Sequence, residues 1–217
     1  MARNQPEEER RLTILAAAKT CFVTGGFAAT RMEDIAHAAR LSKGGLYFHF
    51  KSKNDLMVAV VRRENLLIEQ LLTQSDTDEG DLWARVDRML TTYFQYLVEH
   101  LDAAKISQCI LDEALRNEAV RSVLVDGEQY FLNRLERLLT RAVERGELPP
   151  SLNVSAVARL CMVFIEGAKT KYLHFPDWPW TELLLMVRTL VASFSSAYLS
   201  TEHNAVVYGS KTTHPNG

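Results

Sequence analysis

Along most of this chain, apolar residues recur every three or four positions, the spacing of helices with one face turned inward. Ile14, Leu15, Ala18, Cys21 and Phe22 form the first stripe, over about Glu7 to Thr24, with Glu7, Glu8 and Glu9 at its positive end and Gly25-Gly26 as its stop. A short helix fits Met32 to Ala39, and a second starts after Ser42 and runs to about His49. A fourth begins at Ser52 and continues without Gly or Pro to about Leu72, too long for a small head alone, so it is read as the connection between head and body. SDTDEG, residues 75–80, is a polar loop. Beyond it the pattern predicts helices through Leu82 to Leu97, Ala104 to Arg116 and Glu118 to Arg145, the last ended by Gly146. After GELPPSLN, Asn153 or Ser155 caps a helix to about His174; Phe175 to Pro179 breaks it, and a last helix covers Trp180 to Leu199. Strand alternation, internal repeats and low-complexity stretches are all missing, so the expected fold class is all-α.

The densest punctuation lies in TRMEDIAHAARLSKGGLYFHFKSKNDL. Thr30-Arg31-Met32-Glu33 and Ser52-Lys53-Asn54-Asp55 both read as capping boxes, with Thr30 and Ser52 as N-caps, and Ser42 is a third cap candidate. Two short helices joined by Arg40, Leu41 and Ser42 make a helix-turn-helix, whose second helix is free to enter a major groove. At a helical period, Leu46 and Phe50 face back onto Ile35, Ala36 and Ala39. Gly44 and Phe48 then face outward, flanked by Lys43, Gly45 and Tyr47: one cation, bare backbone and an aromatic ring. Lys43 opens the helix, where a cation reaches guanine O6 and N7, and Phe48 suits a thymine methyl.

SKGGLYFHFKSKNDL, with TRMEDIA and ILAAAKTCFVTGGF upstream, resembles the DNA-binding domain of the tetracycline-repressor (TetR) family over residues 8–68, with the helix-turn-helix at 31–50. The resemblance implies a transcriptional regulator, most simply a repressor, with residues 69–200 as an effector-binding and dimerisation body and 201–217 as a mobile tail. It also implies that Thr30, Tyr47, His49 and Lys53 hold phosphates, beside Arg31 and Ser42 at the two helix starts. One departure stands out. The family often has glycine where this chain has Arg40, a turn position that can require a positive φ.

Net charge is −2 over 217 residues, which does not suggest a nucleic-acid binder until its distribution is read. Residues 1–63 hold eleven Lys/Arg against six Asp/Glu, leaving fourteen against twenty-one for the remainder. A basic head on an acidic body suits a protein that binds a polyanion at one end without coating it indiscriminately. The partners expected are double-stranded DNA carrying a palindromic operator, a second copy of the chain and a small-molecule effector.

The last two predicted helices are apolar on more than one side. Leu160 and Phe164 on one, and Leu183, Val187, Leu190 and Phe194 on the other, lie among too many apolar neighbours for a single buried stripe, so a homodimer interface is expected there. The family's corresponding pair forms a four-helix dimer interface. For the effector, Tyr93 and Phe94, Gln108, Tyr130 and Asn133, and Phe164 and Lys169 place aromatic and polar groups on neighbouring helices. Family bodies enclose an apolar pocket with a few orienting polar groups, which makes a mostly apolar molecule the expected effector.

Enzymatic signatures are lacking: no H-E-x-x-H, no G-x-S-x-G and no phosphate loop occur, so no cofactor, metal or catalytic residue is expected. Cys21, Cys109 and Cys161 are far apart inside apolar patterns and read as reduced core residues. Lacking a long apolar run or an apolar N-terminal segment, the chain is expected in the cytoplasm. The alternative reading is a helical interaction protein or small enzyme carrying a DNA-binding head.

Overall fold

In a computed structural model, residues 7–75, 77, 79–175, 182, 185, 186 and 189 are described. Eight helices follow in order: α1 Glu7–Gly25, α2 Met32–Ala38, α3 Lys43–His49, α4 Lys53–Ser75, α5 Leu82–Glu99, α6 Leu101–Ala114, α7 Glu118–Glu144 and α8 Val154–His174. The fold is all-α, with no strand among the described residues. Glu182, Leu185, Met186 and Thr189 are helical, and the rest of the predicted last helix, with the tail, lies outside the described residues.

The helix starts follow the side chains that satisfy orphan backbone donors. Ser42 Oγ accepts from Gly45 N at 3.1 Å and Ser52 Oγ from Asp55 N at 3.1 Å, as the sequence predicts. At α8 it is Asn153, not Ser155, that caps, accepting from Ala156 N at 3.0 Å. The start of α2 is shifted by one residue from expectation. Arg31 occupies the N-cap position, and Asp34, rather than Glu33, reaches back to accept its backbone N–H at 2.9 Å. Thr30 is freed from capping and turns inward, where its hydroxyl proton is shared between the carbonyls of Gly26 and Cys21 at 2.7 and 3.1 Å.

α2 ends in a Schellman motif. Leu41 N–H reaches back to Ala36 O at 2.8 Å and Arg40 N–H to His37 O at 3.0 Å, with Arg40 in the left-handed region at φ +57°. The conformation that favours glycine is thus held by an arginine. α7 ends the same way, at Gly146 with φ +74°.

Two apolar clusters form the core, and they do not divide at the start of the body. The first joins Ile14, Phe22, Ile35, Leu46, Leu56 and Val60 of the head to Ile106, Ile110, Val120 and Val123 of α6 and α7. The second gathers Leu90, Phe94 and Leu97 of α5 with Leu135 and Leu139 of α7 and Val157 and Ala158 of α8. Each fully buried large side chain contributes about 1.5–3 kcal/mol relative to exposure, so the α6–α7 wall stabilises the head substantially. α4 runs unbroken from Lys53 to Ser75 and packs against α1, α5 and α7, and residue 68 falls inside it.

Candidate nucleic-acid interface and the cavity behind it

α3 stands on its apolar side. Leu46 and Phe50 are buried in the cluster that holds Ile35, Ala36 and Ala39, which fixes the opposite side outward. There Phe48 is 74% exposed, edge-on to the His49 ring at 5.2 Å. A Cβ added at Gly44 would meet nothing within 4 Å, so a flat surface can approach its backbone closely. Lys43 is exposed at the first turn, its Nζ 2.5 Å from Glu33 Oε1 and 6.0 Å from the Tyr47 ring centroid. The hydrogen bond and charge of Glu33 hold the Lys43 ammonium above its ordinary value, while the same hydrogen bond lowers the Glu33 carboxyl. Sequence reading missed Glu33 as the group that tethers Lys43.

The residues named from the sequence separate into two sets. Arg31, Ser42, Lys43, Gly44 and Phe48 are exposed, with Gly45, Tyr47 and His49 half-buried beside them. Thr30 and Lys53 sit behind that surface. Thr30 is 5% exposed, and Lys53 Nζ donates to the carbonyls of Phe27, Ala28 and Thr30 at 2.6, 3.1 and 2.9 Å. All three ammonium protons of Lys53 are therefore engaged in fastening the α1–α2 turn to the start of α4.

Behind the head lies a cavity of about 130 Å³ between α4, α5, α6, α7 and α8. Its walls are mostly apolar, including Ile68, Leu90, Ile106, Phe131 and Ile165. Of the seven residues proposed from the sequence for an effector, Tyr93 and Lys169 line it. Phe94 is buried in the second core cluster, against which Phe164 packs. Gln108 bonds Asp112, Asn133 bonds Gln129, and Tyr130 stacks edge-on with Phe131. The rest of the polar lining comprises three carboxylates, Glu64, Glu128 and Glu166, with Arg134, Asn65 and Ser107.

Glu64 also belongs to the joint between head and body. Lys19 of α1 pairs with its Oε2 at 2.9 Å and with Asp102 Oδ2 of α6 at 3.0 Å. Burial pushes the Glu64 carboxyl up more than Lys19 pulls it down. For Lys19, burial works against the charge, but Glu64 and Asp102 outweigh it and the ammonium sits above its usual value. The three cysteines are unpaired thiols with pKa values raised chiefly by burial, Cys161 to about 11, which suits core residues rather than nucleophiles.

Along the outer side of α8, Ala156, Leu160, Val163 and Gly167 are all exposed at helical spacing. Val163 is 70% and Leu160 42% exposed, and Leu185 and Met186 are exposed further along the chain. Phe164 faces inward instead, while Leu183, Val187, Leu190 and Phe194 lie outside the described residues. Among the described residues no helix is long and apolar enough to cross a membrane, and no group of metal-binding side chains comes together.

Residues 14–60 match the family profile described as bacterial regulatory proteins, tetR family, and residues 76–165 match the tetracyclin repressor-like C-terminal domain. Together these cover more than half of the chain. The chain belongs to the tetracycline-repressor (TetR) family. Like its relatives, this TetR-family protein is a DNA-binding transcriptional regulator. It is 28% identical over 173 residues to the HTH-type transcriptional regulator YfiR of Bacillus subtilis, covering 79% of this chain and 83% of that protein. It is 26% identical over 183 residues to the HTH-type transcriptional regulator TtgR of Pseudomonas putida, covering 82% and 87%. Salmonella enterica GusR shares the fold, with a TM-score of 0.75 at 22% identity over 88% of this chain and 98% of that one.

Proposed function

We propose that this regulator is a homodimeric repressor, released from a palindromic operator by a mostly apolar small molecule held in the body cavity. The observation that carries the reading is the position of Glu64, which lines the cavity and is bonded to Lys19 of the head. A ligand that changes the packing around Glu64 acts on the joint that sets the angle of the head. α3 supplies the DNA-reading surface: Lys43 and Phe48 for base edges, Tyr47, His49 and Arg31 for the backbone. Repression needs only occupancy of a site overlapping a promoter, hence no catalytic group.

The uncovered apolar stripe Ala156, Leu160, Val163 and Gly167 supports a second copy as partner. A two-fold axis beside α8 would space two copies of α3 by about 34–36 Å or a multiple along one side of a duplex. Selection of bound fragments from random DNA by the purified protein tests this. Recovery of one palindrome with half-sites at that spacing is expected, and recovery of unrelated sequences, or of single half-sites, would count against the dimeric repressor. By linkage, an inducer that weakens operator binding must itself bind the operator complex more weakly by the same factor.

A further inference from the structure

One buried acceptor at the polar end of the cavity is unmet among the described residues. Lys169, only 7% exposed, donates to Ser107 Oγ at 2.6 Å and to Glu166 Oε2 at 2.6 Å. That leaves Glu166 Oε1, an oxygen with essentially no solvent access, without a hydrogen-bond partner among the described residues. A buried acceptor left unpaired is costly, more so when charged. Glu128, an exposed residue, lines the same end, where the charges of Glu166 and Lys169 both act on its carboxyl. Desolvation, and then the charge of Glu166, push the Glu128 carboxyl up, with Lys169 only partly offsetting them. Tyr93, half-buried beside them, has its phenol raised by desolvation and then by the charges of Glu166 and Glu128. The other cation of the lining, Arg134, donates to the Leu72 carbonyl at 2.7 Å, so the unmet need at this end is an N–H for Glu166 Oε1.

We propose that the cavity selects a singly charged organic amine, whose N–H group donates to Glu166 Oε1 and whose hydrocarbon body lies against Leu90, Ile106 and Phe131. This rests on the effector reading above. Neutral and anionic amphiphiles bind less well, because a hydroxyl brings no charge and a carboxylate brings the wrong one to Glu128 and Glu166. A volume of about 130 Å³ admits a ligand body of roughly ten non-hydrogen atoms without enlargement, at about 10–15 Å³ each.

Octylamine, octanol and octanoate share one hydrocarbon and differ only at the polar end, so calorimetry of the three against the full-length chain isolates that end. Octylamine is expected to bind about tenfold more tightly than octanol, with octanoate weakest, the scale of one charge-assisted hydrogen bond. Glu166→Gln is expected to erase the amine preference, so that octylamine and octanol bind equally. Lys169→Met, which removes the competing cation, is expected to widen the preference. Equal affinity for all three, preference for octanoate, or an amine preference that survives Glu166→Gln overturns the ligand class but leaves an apolar effector cavity standing. Failure of all three to bind, or amine binding unchanged when Met162→Trp fills the cavity, overturns that reading as well.

Discussion

The ammonium of Lys53 lies 2.6 Å from the carbonyl oxygen of Phe27 and 4.5 Å from the centroid of the same residue's ring. One side chain thus holds both the backbone and the aromatic face of the turn that precedes the helix-turn-helix, with the carbonyls of Ala28 and Thr30 completing the cage. Family resemblance assigns this lysine to phosphate, but its donors in this structure are spent on the protein itself. Lys53→Met is expected to lower unfolding free energy by about 1.5–3 kcal/mol, the scale of hydrogen bonds made by a charged group. Chemical denaturation measures it, and an unchanged midpoint would show the cage to be energetically idle.

Lys43 and Glu33 form an exposed pair that DNA must separate before Lys43 reaches a base. Lys43→Ala is expected to relax base preference at one position of each half-site. Glu33→Gln, which frees the lysine and removes a negative charge from the DNA-facing side, is expected to raise affinity several-fold at low salt, with less gain at high salt. Anisotropy titrations at two salt concentrations separate these effects, and a uniform loss for both variants would contradict the division of roles.

Arg40 holds a positive φ of 57° at the end of α2. Arg40→Gly is expected to stabilise the protein by about 0.5–1 kcal/mol, since the strain of a left-handed side chain exceeds the extra entropy glycine loses on folding. Arg40→Val should do the opposite, because a β-branched side chain tolerates that region least. Thermal melting of the pair reads both signs.

Lys19→Met leaves Glu64 buried without its cation, a change expected to cost about 3 kcal/mol near neutral pH. The sign of the pH dependence follows from the direction of the shift. Glu64 already sits above the ordinary carboxylate value, so the folded state binds its proton more tightly than the unfolded chain. Stability therefore falls as pH rises from the unfolded value of about 4.5 through the folded one. Loss of Lys19 raises the folded value further, so the deficit of the variant should shrink on acidification toward pH 4.5. A deficit independent of pH would mean that packing, not charge, is what Lys19 supplies.

Val163→Glu on the outer side of α8 is expected to give a monomer that remains folded, since Val163 is 70% exposed within one chain. Light scattering with circular dichroism distinguishes this from unfolding, and an unaltered dimer would move the interface elsewhere.

The helices and their order were legible because their boundaries are written in local chemistry: Ser42 and Ser52 before α3 and α4, Asn153 before α8, Gly146 after α7. The outward set Lys43, Gly44 and Phe48 was legible for the same reason, since a seven-residue helix with Leu46 and Phe50 buried has only one free side. What stayed hidden depends on distant residues. Lys53 and Thr30 turn inward because carbonyls from α1 and the following turn approach them, which no spacing in the motif announces. The cavity was sought in aromatic and amide groups, while its polar lining includes the carboxylates Glu64, Glu128 and Glu166 and the cation Arg134. A faint signal existed: Val60, Glu64 and Ile68 lie on one side of α4, as do Leu124, Glu128 and Phe131 on α7, each an acid interrupting an apolar stripe.

The shared core of head and body also bears on how such a protein can be re-engineered. Phe22 and Ile14 share one buried cluster with Ile106, Ile110 and Val120, α1 packs on α6, and the Cys109 thiol lies 3.6 Å from the Phe22 carbonyl. A graft that carried only residues 8–68 onto a foreign body would leave that wall behind and uncover the inner side of α1. To transplant this DNA-reading end with its stability intact, α6 and the first turns of α7 would have to travel with it. The transferable cassette is defined by packing and is discontinuous along the chain.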